Sequence, residues 1–241
     1  MKKFLILAAL LLPLASVAQQ YKVTGKVPTK TKVYLFRTPG FAKEQADSVV
    51  AKNGTFTFTG TTTQPELYYI VKKAAKAGQP TTIVPIVADG NVMVDFTTET
   101  PSGTAENNAL KAALMQVKPY AQGLRAVEKQ FEDIELSGKE PSEDELTKLA
   151  DSYEQAQALM IEAVAAICKN NMDKTYPAYF IIDYYSLIEK PTLYKFYDEK
   201  AKFMQPSATS HVSQLIEGWK RREPGQTFTD FEMKTEAFSE C

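Results

Sequence analysis

The sequence predicts an α+β protein: an N-terminal antiparallel β-sandwich or open barrel, then a helical domain built on a long antiparallel helical hairpin. Three observations predict it. From Tyr21 to about Thr98 the chain reads as short β-branched and aromatic runs separated by Gly, Pro and Asn turns. From about Ala105 the apolar residues recur at helical spacing instead. The change falls at Pro101-Ser102-Gly103, two strong breakers beside a serine.

The β half holds about seven candidate strands. YKVTGKV and TKVYLFR flank a turn at Pro28. Asp47 to Gly60, DSVVAKNGTFTFTG, then predicts a hairpin, because Asn53-Gly54 suits the positive φ angles of a type I′ turn. Phe56 and Phe58 alternate there with Thr55, Thr57 and Thr59, so one face turns inward. Asn53-Gly54-Thr55 also matches a glycosylation sequon, but the turn explains the same residues more simply. Asp47-Ser48 is expected just before a strand, with a side-chain oxygen satisfying a backbone donor at a turn, or else as a polar site at the sheet edge. Pro65 precedes LYYIVKK, and Pro80 precedes TTIVPIVADGNVMVDFTT with a second turn at Asp89-Gly90-Asn91.

In the helical half, Leu110, Leu114, Val117, Ala121, Leu124, Val127, Phe131 and Ile134 line a first helix, which Pro119 is expected to bend. SGKEP breaks it, and Ser142 with Glu145 three residues later reads as a capping box. The next helix carries Leu146, Leu149, Tyr153, Ala156, Met160, Ala163 and Ile167 in unbroken three-four alternation, the spacing of a coiled-coil seam. A short loop between two such helices predicts an antiparallel pair, with two ordinary helices packed on the sheet as the alternative. Tyr176 to Ile188 is apolar on nearly every side and predicts one buried helix. Pro191 opens another segment, and Val212, Leu215, Ile216 and Trp219 share one face of a last helix near Ser210 to Arg221.

The first residues, MKKFLILAALLLPLASVAQQ, have the charged start, apolar run and small-residue site of a signal peptide, with cleavage expected after Ala18. The apolar run is too short to span a bilayer, so no membrane span is expected in the mature chain. The expected division is 1–18 signal peptide, 19–100 β domain, 101–222 helical domain and 223–241 tail. Location in the periplasm or outer envelope follows from the signal peptide. Against 29 acidic residues stand 28 basic ones, and loss of Lys2 and Lys3 leaves 26, a net charge of −3. That excludes the basic footprint of a nucleic-acid binder.

Chemistry is sparse. One histidine, His211, rules out a His-rich metal site, and no G-x-S-x-G, P-loop or G-x-G-x-x-G motif is present. No catalytic residue, metal or cofactor is assigned. His211 reads as a helix-surface or interface residue. Glu132, Asp133 and Glu135 read as a solvated helix face. The aromatic residues from Tyr176 to Phe203 read as core before ligand groove. Two cysteines leave a Cys168–Cys241 bridge open. Cys168, near a helix C-terminus, reads as inert, and Cys241 is the one candidate reactive thiol, although no basic neighbour lowers its pKa.

The order Y-K-V-T-G-K-V, K-V-Y-L, D-S-V-V-A-K-N-G-T-F-T-F-T-G and Gly103-Thr104-Ala105-Glu106-Asn107 before a long helix resembles a known family. It is the N-terminal domain of unknown function that precedes thioredoxin-like domains, of the alkyl hydroperoxide reductase/thiol-specific antioxidant type, in exported bacterial thiol-disulfide proteins. The resemblance covers roughly Tyr21 to Arg222. Gly225 to Phe231 looks like the G-x-x-x-x-D-F stretch that opens the thioredoxin-like domain there. The W-C-x-x-C centre of that family has no counterpart in these residues, so its redox role is carried onto none of them. Asp47, Ser48, Asn53, Gly54, Phe56, Phe58 and Gly60 make up the structural motif. Three functions follow as expectations. The first is a non-enzymatic exported module with a protein partner at the cell envelope. The others are a truncated or accessory thiol-disulfide component, and a glycan- or ligand-binding β domain.

Overall fold

The computed structural model describes residues 18–37, 45–72, 81–138 and 140–225. Eight strands come first: β1 (Gln19–Lys26), β2 (Lys32–Phe36), β3 (Gln45–Val50), β4 (Thr55–Thr62), β5 (Glu66–Lys72), β6 (Thr82–Ala88), β7 (Asn91–Asp95) and β8 (Thr100–Ser102). Five helices follow: α1 (Ala105–Ser137), α2 (Glu143–Asn170), α3 (Ala178–Tyr184), α4 (Lys190–Asp198) and α5 (Ser210–Lys220), with two short 3-10 turns before α5. The strands form two four-stranded sheets, ordered β4-β1-β7-β8 and β3-β2-β5-β6. The fold is α+β, and of the two β architectures expected it is the sandwich, with no closed barrel.

The Asn53-Gly54 turn forms, with φ of 52° and 74° and reciprocal bonds of 3.0 Å between Lys52 and Thr55. The hairpin expected around it does not extend further. Lys52 and Thr55 are its single bridge, for β3 leaves to pair with β2 and β4 pairs with β1. The turn is a corner between sheets, and Asp89-Gly90 is a second corner that carries the chain from β6 to β7. That second crossing brings β7 in parallel to β1, the one parallel pair among the described residues. Asp47 and Ser48 lie inside β3, not before a strand, opposite a register shift between Leu35 and Phe36.

Burial explains the two kinds of apolar pattern. Val23, Phe56, Phe58, Val92 and Val94 of the first sheet meet Val33, Leu35, Tyr68, Ile70, Val84 and Ile86 of the second. The outer face of the first sheet meets water, so β4 alternates, with Thr55, Thr57 and Thr59 exposed between buried phenylalanines. The second sheet is covered on both faces. Leu67, Tyr69, Val71 and Val87 pack against Leu110, Ala113, Val117, Val164 and Ile181 of the helices. Strands covered on both sides read as continuous apolar runs, as β5 and β6 do. The result is three layers, sheet on sheet on helices.

Helix α1 is continuous through Pro119, which lies on its exposed side. The bond that a proline cannot make would have gone to the Met115 carbonyl, on a residue that also faces solvent. At Gly138 a left-handed φ of 63° closes α1. Ser142 and Glu145 form the capping box, with Glu145 N–H to Ser142 Oγ at 3.3 Å and Ser142 N–H to Glu145 Oε2 at 2.9 Å. The helix expected from Tyr176 to Ile188 is shorter. Pro177 precedes α3, and after Tyr184 the chain tightens through Leu187 N–H to the Tyr184 carbonyl, turning toward α4.

The helices are fixed to the sandwich at the start of α1. Asn107 is fully buried, and its carboxamide bonds both peptide groups of Val87 on the free edge of β6. Oδ1 accepts from Val87 N–H at 3.0 Å and Nδ2 donates to Val87 C=O at 2.7 Å. Nδ2 also lies 3.0 Å from Asp89 Oδ1 and 2.8 Å from Thr104 Oγ1. Thr104 caps α1 by accepting from Asn107 N–H at 3.2 Å. Gly103 just before it has φ of 107°, and a Cβ there would collide with the Asn91 carbonyl. Next to Asn107, Glu106 accepts from Thr175 N–H and Tyr176 N–H at 3.0 and 2.9 Å, which secures the approach to α3.

Asn107→Asp keeps the shape but sets an acceptor against the Val87 carbonyl. It is expected to lower the unfolding free energy by about 3 kcal/mol in urea titrations, and a loss below about 1 kcal/mol would show that the carboxamide is not a clamp. Burial raises the Asp89 carboxyl above its ordinary 3.8, although bonds from Thr104 and Asn107 oppose the rise. The native state therefore keeps that proton to higher pH than the unfolded chain, and the contribution of this group to stability falls as pH climbs from 3.8 through the folded value. Asp89→Asn retains an acceptor for Asn107, so urea midpoints measured across this range should lose that slope; an unchanged profile would contradict the assignment.

Candidate interaction site

The paired helices α1 and α2 reach beyond the body. At 1.5 Å per residue α1 is about 50 Å long and α2 about 40 Å. The expected seam forms near the root, where Leu110, Val117 and Leu124 of α1 and Met160 and Ile167 of α2 are buried, although Val164 is buried there while the expected Ala163 is only half-buried. Further out the cover thins. Among the described residues from 125 to 159, Leu149 alone is buried. Phe131 and Tyr153 still meet edge to face at 6.4 Å, but Phe131 is 36% exposed and Leu146 42% exposed. Leu136, one turn from the tip, is 84% exposed.

At the tip the helices leave an open crevice of about 460 Å³, lined by Gln130, Ile134, Pro141, Glu145, Lys148 and Leu149 among others. Ile134, Pro141 and Leu149 give it apolar surface, and Glu140, Glu145 and Lys148 give it charge. The Ser142 backbone and hydroxyl hold the Glu145 carboxyl below the usual carboxylate range, so it stays ionised. Residues 125–155 carry ten acidic and four basic side chains, a net −6, whereas the whole chain is −1 and its remainder +5. Among the described residues no ion pair forms on this arm. Glu132, Asp133 and Glu135 are exposed there.

The residues singled out in the sequence fall elsewhere. Asn53 and Gly54 make the corner, and Phe56 and Phe58 are core residues, each 2% exposed. Asp47 and Gly60 come together around Tyr21. The Tyr21 hydroxyl lies over Gly60, where a Cβ would approach it to 2.5 Å. The Tyr21 ring stands 5.8 Å from that of Tyr68, whose other neighbour is the Arg37 guanidinium at 6.0 Å. Burial raises the Tyr21 hydroxyl above its ordinary range, Arg37 and a bond from Tyr68 oppose this, and the Asp47 charge adds a little. Ser48 bonds through its N–H to Asp47 Oδ1 at 2.6 Å. This is a packed aromatic cluster between the two sheets, and among the described residues it presents no nucleophile and base in reach of one another.

Tyr176, Phe180, Phe196 and Phe203 are at most 4% exposed and belong to the core, not to a groove. His211 is exposed on α5, with its ring 5.6 Å from that of Tyr185. Among the described residues no group of three or more His, Cys, Asp and Glu is placed to hold a metal ion, and no helix is long and apolar enough to cross a membrane. Cys168 is a free, fully buried thiol. Cys241, the tail from 226 and residues 1–17, where a signal peptide is expected, lie outside the described residues. Asn107, Glu106 and the tip crevice are not identified as sites in the sequence. The signal for Asn107 is an amide in the first turn of an amphipathic helix, on the same side as Leu110.

Residues 21–110 match the family described as Domain of unknown function (DUF4369). The match spans the sandwich and ends at Leu110, so it takes in the Asn107 clamp and stops where the arm begins. No curated protein and no solved structure matches the chain.

Burial pushes the Cys168 thiol up to about 12. The folded protein at neutral pH should leave this thiol unalkylated by iodoacetamide, with modification appearing only after denaturation. Peptide mass spectrometry reads this directly, and native labelling of Cys168 would contradict its burial.

Proposed function

We propose that this chain is a non-enzymatic module, exported to the cell envelope, that positions or engages a protein partner through its helical arm. The observation that carries the reading is the arm itself. It is held at its root by Asn107 and Glu106, yet from residue 125 to 159 it buries one described side chain and exposes Phe131, Leu136 and Leu146. An element that spends so little apolar surface on its own fold, while keeping a seam, suits contact with something outside. The match to a domain of unknown function over 21–110 is compatible with this reading and names no activity. Export rests on the leader sequence alone.

A second reading, a glycan-binding β domain, has one observation in its favour. On the outer face of the first sheet, Gln20, Lys22, Thr59, Thr61 and Asn91 line an open cleft of about 640 Å³ with hydroxyl, amide and ammonium groups. Among the described residues no strongly exposed aromatic ring lies on that sheet to stack against a sugar, which places this reading second. The redox alternative retains only Cys241, since Cys168 is buried and protonated.

Replacing residues 126–153 by a short Gly-rich turn should leave the root and both cores intact. The shortened protein is expected to keep its cooperative unfolding and to lose the proteins that the full mature chain captures from envelope extract. Equal capture by both forms would refute the arm as the contact. In an insulin-reduction assay the mature chain should match the buffer blank; thiol-dependent turnover lost in Cys241→Ser would establish the redox alternative instead.

A further inference from the structure

We infer that the crevice at the arm's tip receives a basic amphipathic helix of a protein partner, which completes a three-helix seam. This rests on the reading of the arm as an interaction element and specifies its partner. Two helices that pair through a seam present a groove on either side, and the crevice between Ile134 and Leu149 is such a groove left open. An entering helix with apolar residues at i, i+3 or i+4, and i+7 would set them against Ile134, Pro141 and Leu149.

Charge fixes the sign of the partner. The arm's net −6 is uncompensated, because its carboxylates find no ion-pair partner among the described residues. Glu140 and Glu145 line the crevice beside Lys148, and Glu143 and Asp144 stand in the first turn of α2. These charges repel phosphate, which disfavours nucleic acid and anionic lipid surfaces. They attract Lys and Arg on the flanks of an apolar stripe, where they steer encounter and fix register. Ile134, Pro141 and Leu149 supply the apolar contact that charge alone does not.

The test uses the full mature chain and two synthetic peptides of about 18 residues, or five helical turns. Both carry the same leucine stripe; one has Lys and Arg flanks, the other Glu. Fluorescence anisotropy should show saturable binding of the basic peptide only, weakened about tenfold or more by raised salt. Two variants in the crevice lining, the charge reversal Glu140→Lys and the apolar Ile134→Asp, should each weaken it about tenfold while circular dichroism and unfolding midpoint stay unchanged. Equal affinity for both peptides, no saturable binding, or indifference to both variants would overturn the inference. Self-association of the chain that Ile134→Asp abolishes would overturn it too, by assigning the crevice to a second copy. If envelope capture needs the arm but the basic peptide does not bind, the interaction reading stands and this inference alone falls.

Discussion

The Asn107 carboxamide holds the edge of β6 as a neighbouring strand would, and the arrangement of the helices depends on it. A primary amide offers one donor and one acceptor on the same side, the same pair a peptide offers in an antiparallel ladder. At Val87 it satisfies both edge groups within 3.0 Å. A buried peptide group left without a partner costs on the order of 1–3 kcal/mol, so the carboxamide removes two such costs at one point. Its own backbone is capped by Thr104, and the adjoining Glu106 secures Thr175 and Tyr176. Three residues within one four-residue stretch, Thr104, Glu106 and Asn107, thus tie the second sheet, the arm and the later helices together.

That tie makes sense of the layers. A sheet covered on one face can alternate, but the second sheet lies between the sandwich core and the helices, so β5 and β6 are apolar on both sides. Its edge at β6 runs past the start of α1, which is where an unpaired strand would otherwise invite association with another chain. The clamp covers that edge and sets the root of α1 in the same contact.

Local signals in the sequence translate into structure well. The Ser142–Glu145 box, the Asn53-Gly54 turn, the Phe56–Phe58 alternation and the seam of the paired helices each involve residues a few positions apart, and each forms. What is not legible depends on partners far along the chain. Nothing in DSVVAKNGTFTFTG says that β3 and β4 belong to different sheets, because the turn geometry is the same for a hairpin and a corner. The parallel pairing of β1 with β7 joins segments about 70 residues apart. Asn107 reads as one more polar residue in a first turn until Val87, 20 positions earlier, is found beside it. The arm is legible as a seam, but the point where its burial ends is set by how far the body extends beneath it.

A rigid root and a lightly packed tip are what an element needs to present a surface without unfolding. Native-state hydrogen exchange tests this division most directly, by comparing the Val87 amide with amides of the arm between residues 128 and 136. Val87 should exchange only through global unfolding, with the protection of the core strands, while the arm amides exchange through smaller local openings. Exchange of Val87 as fast as that of the arm would contradict the account, since the carboxamide would then not be holding the edge it faces.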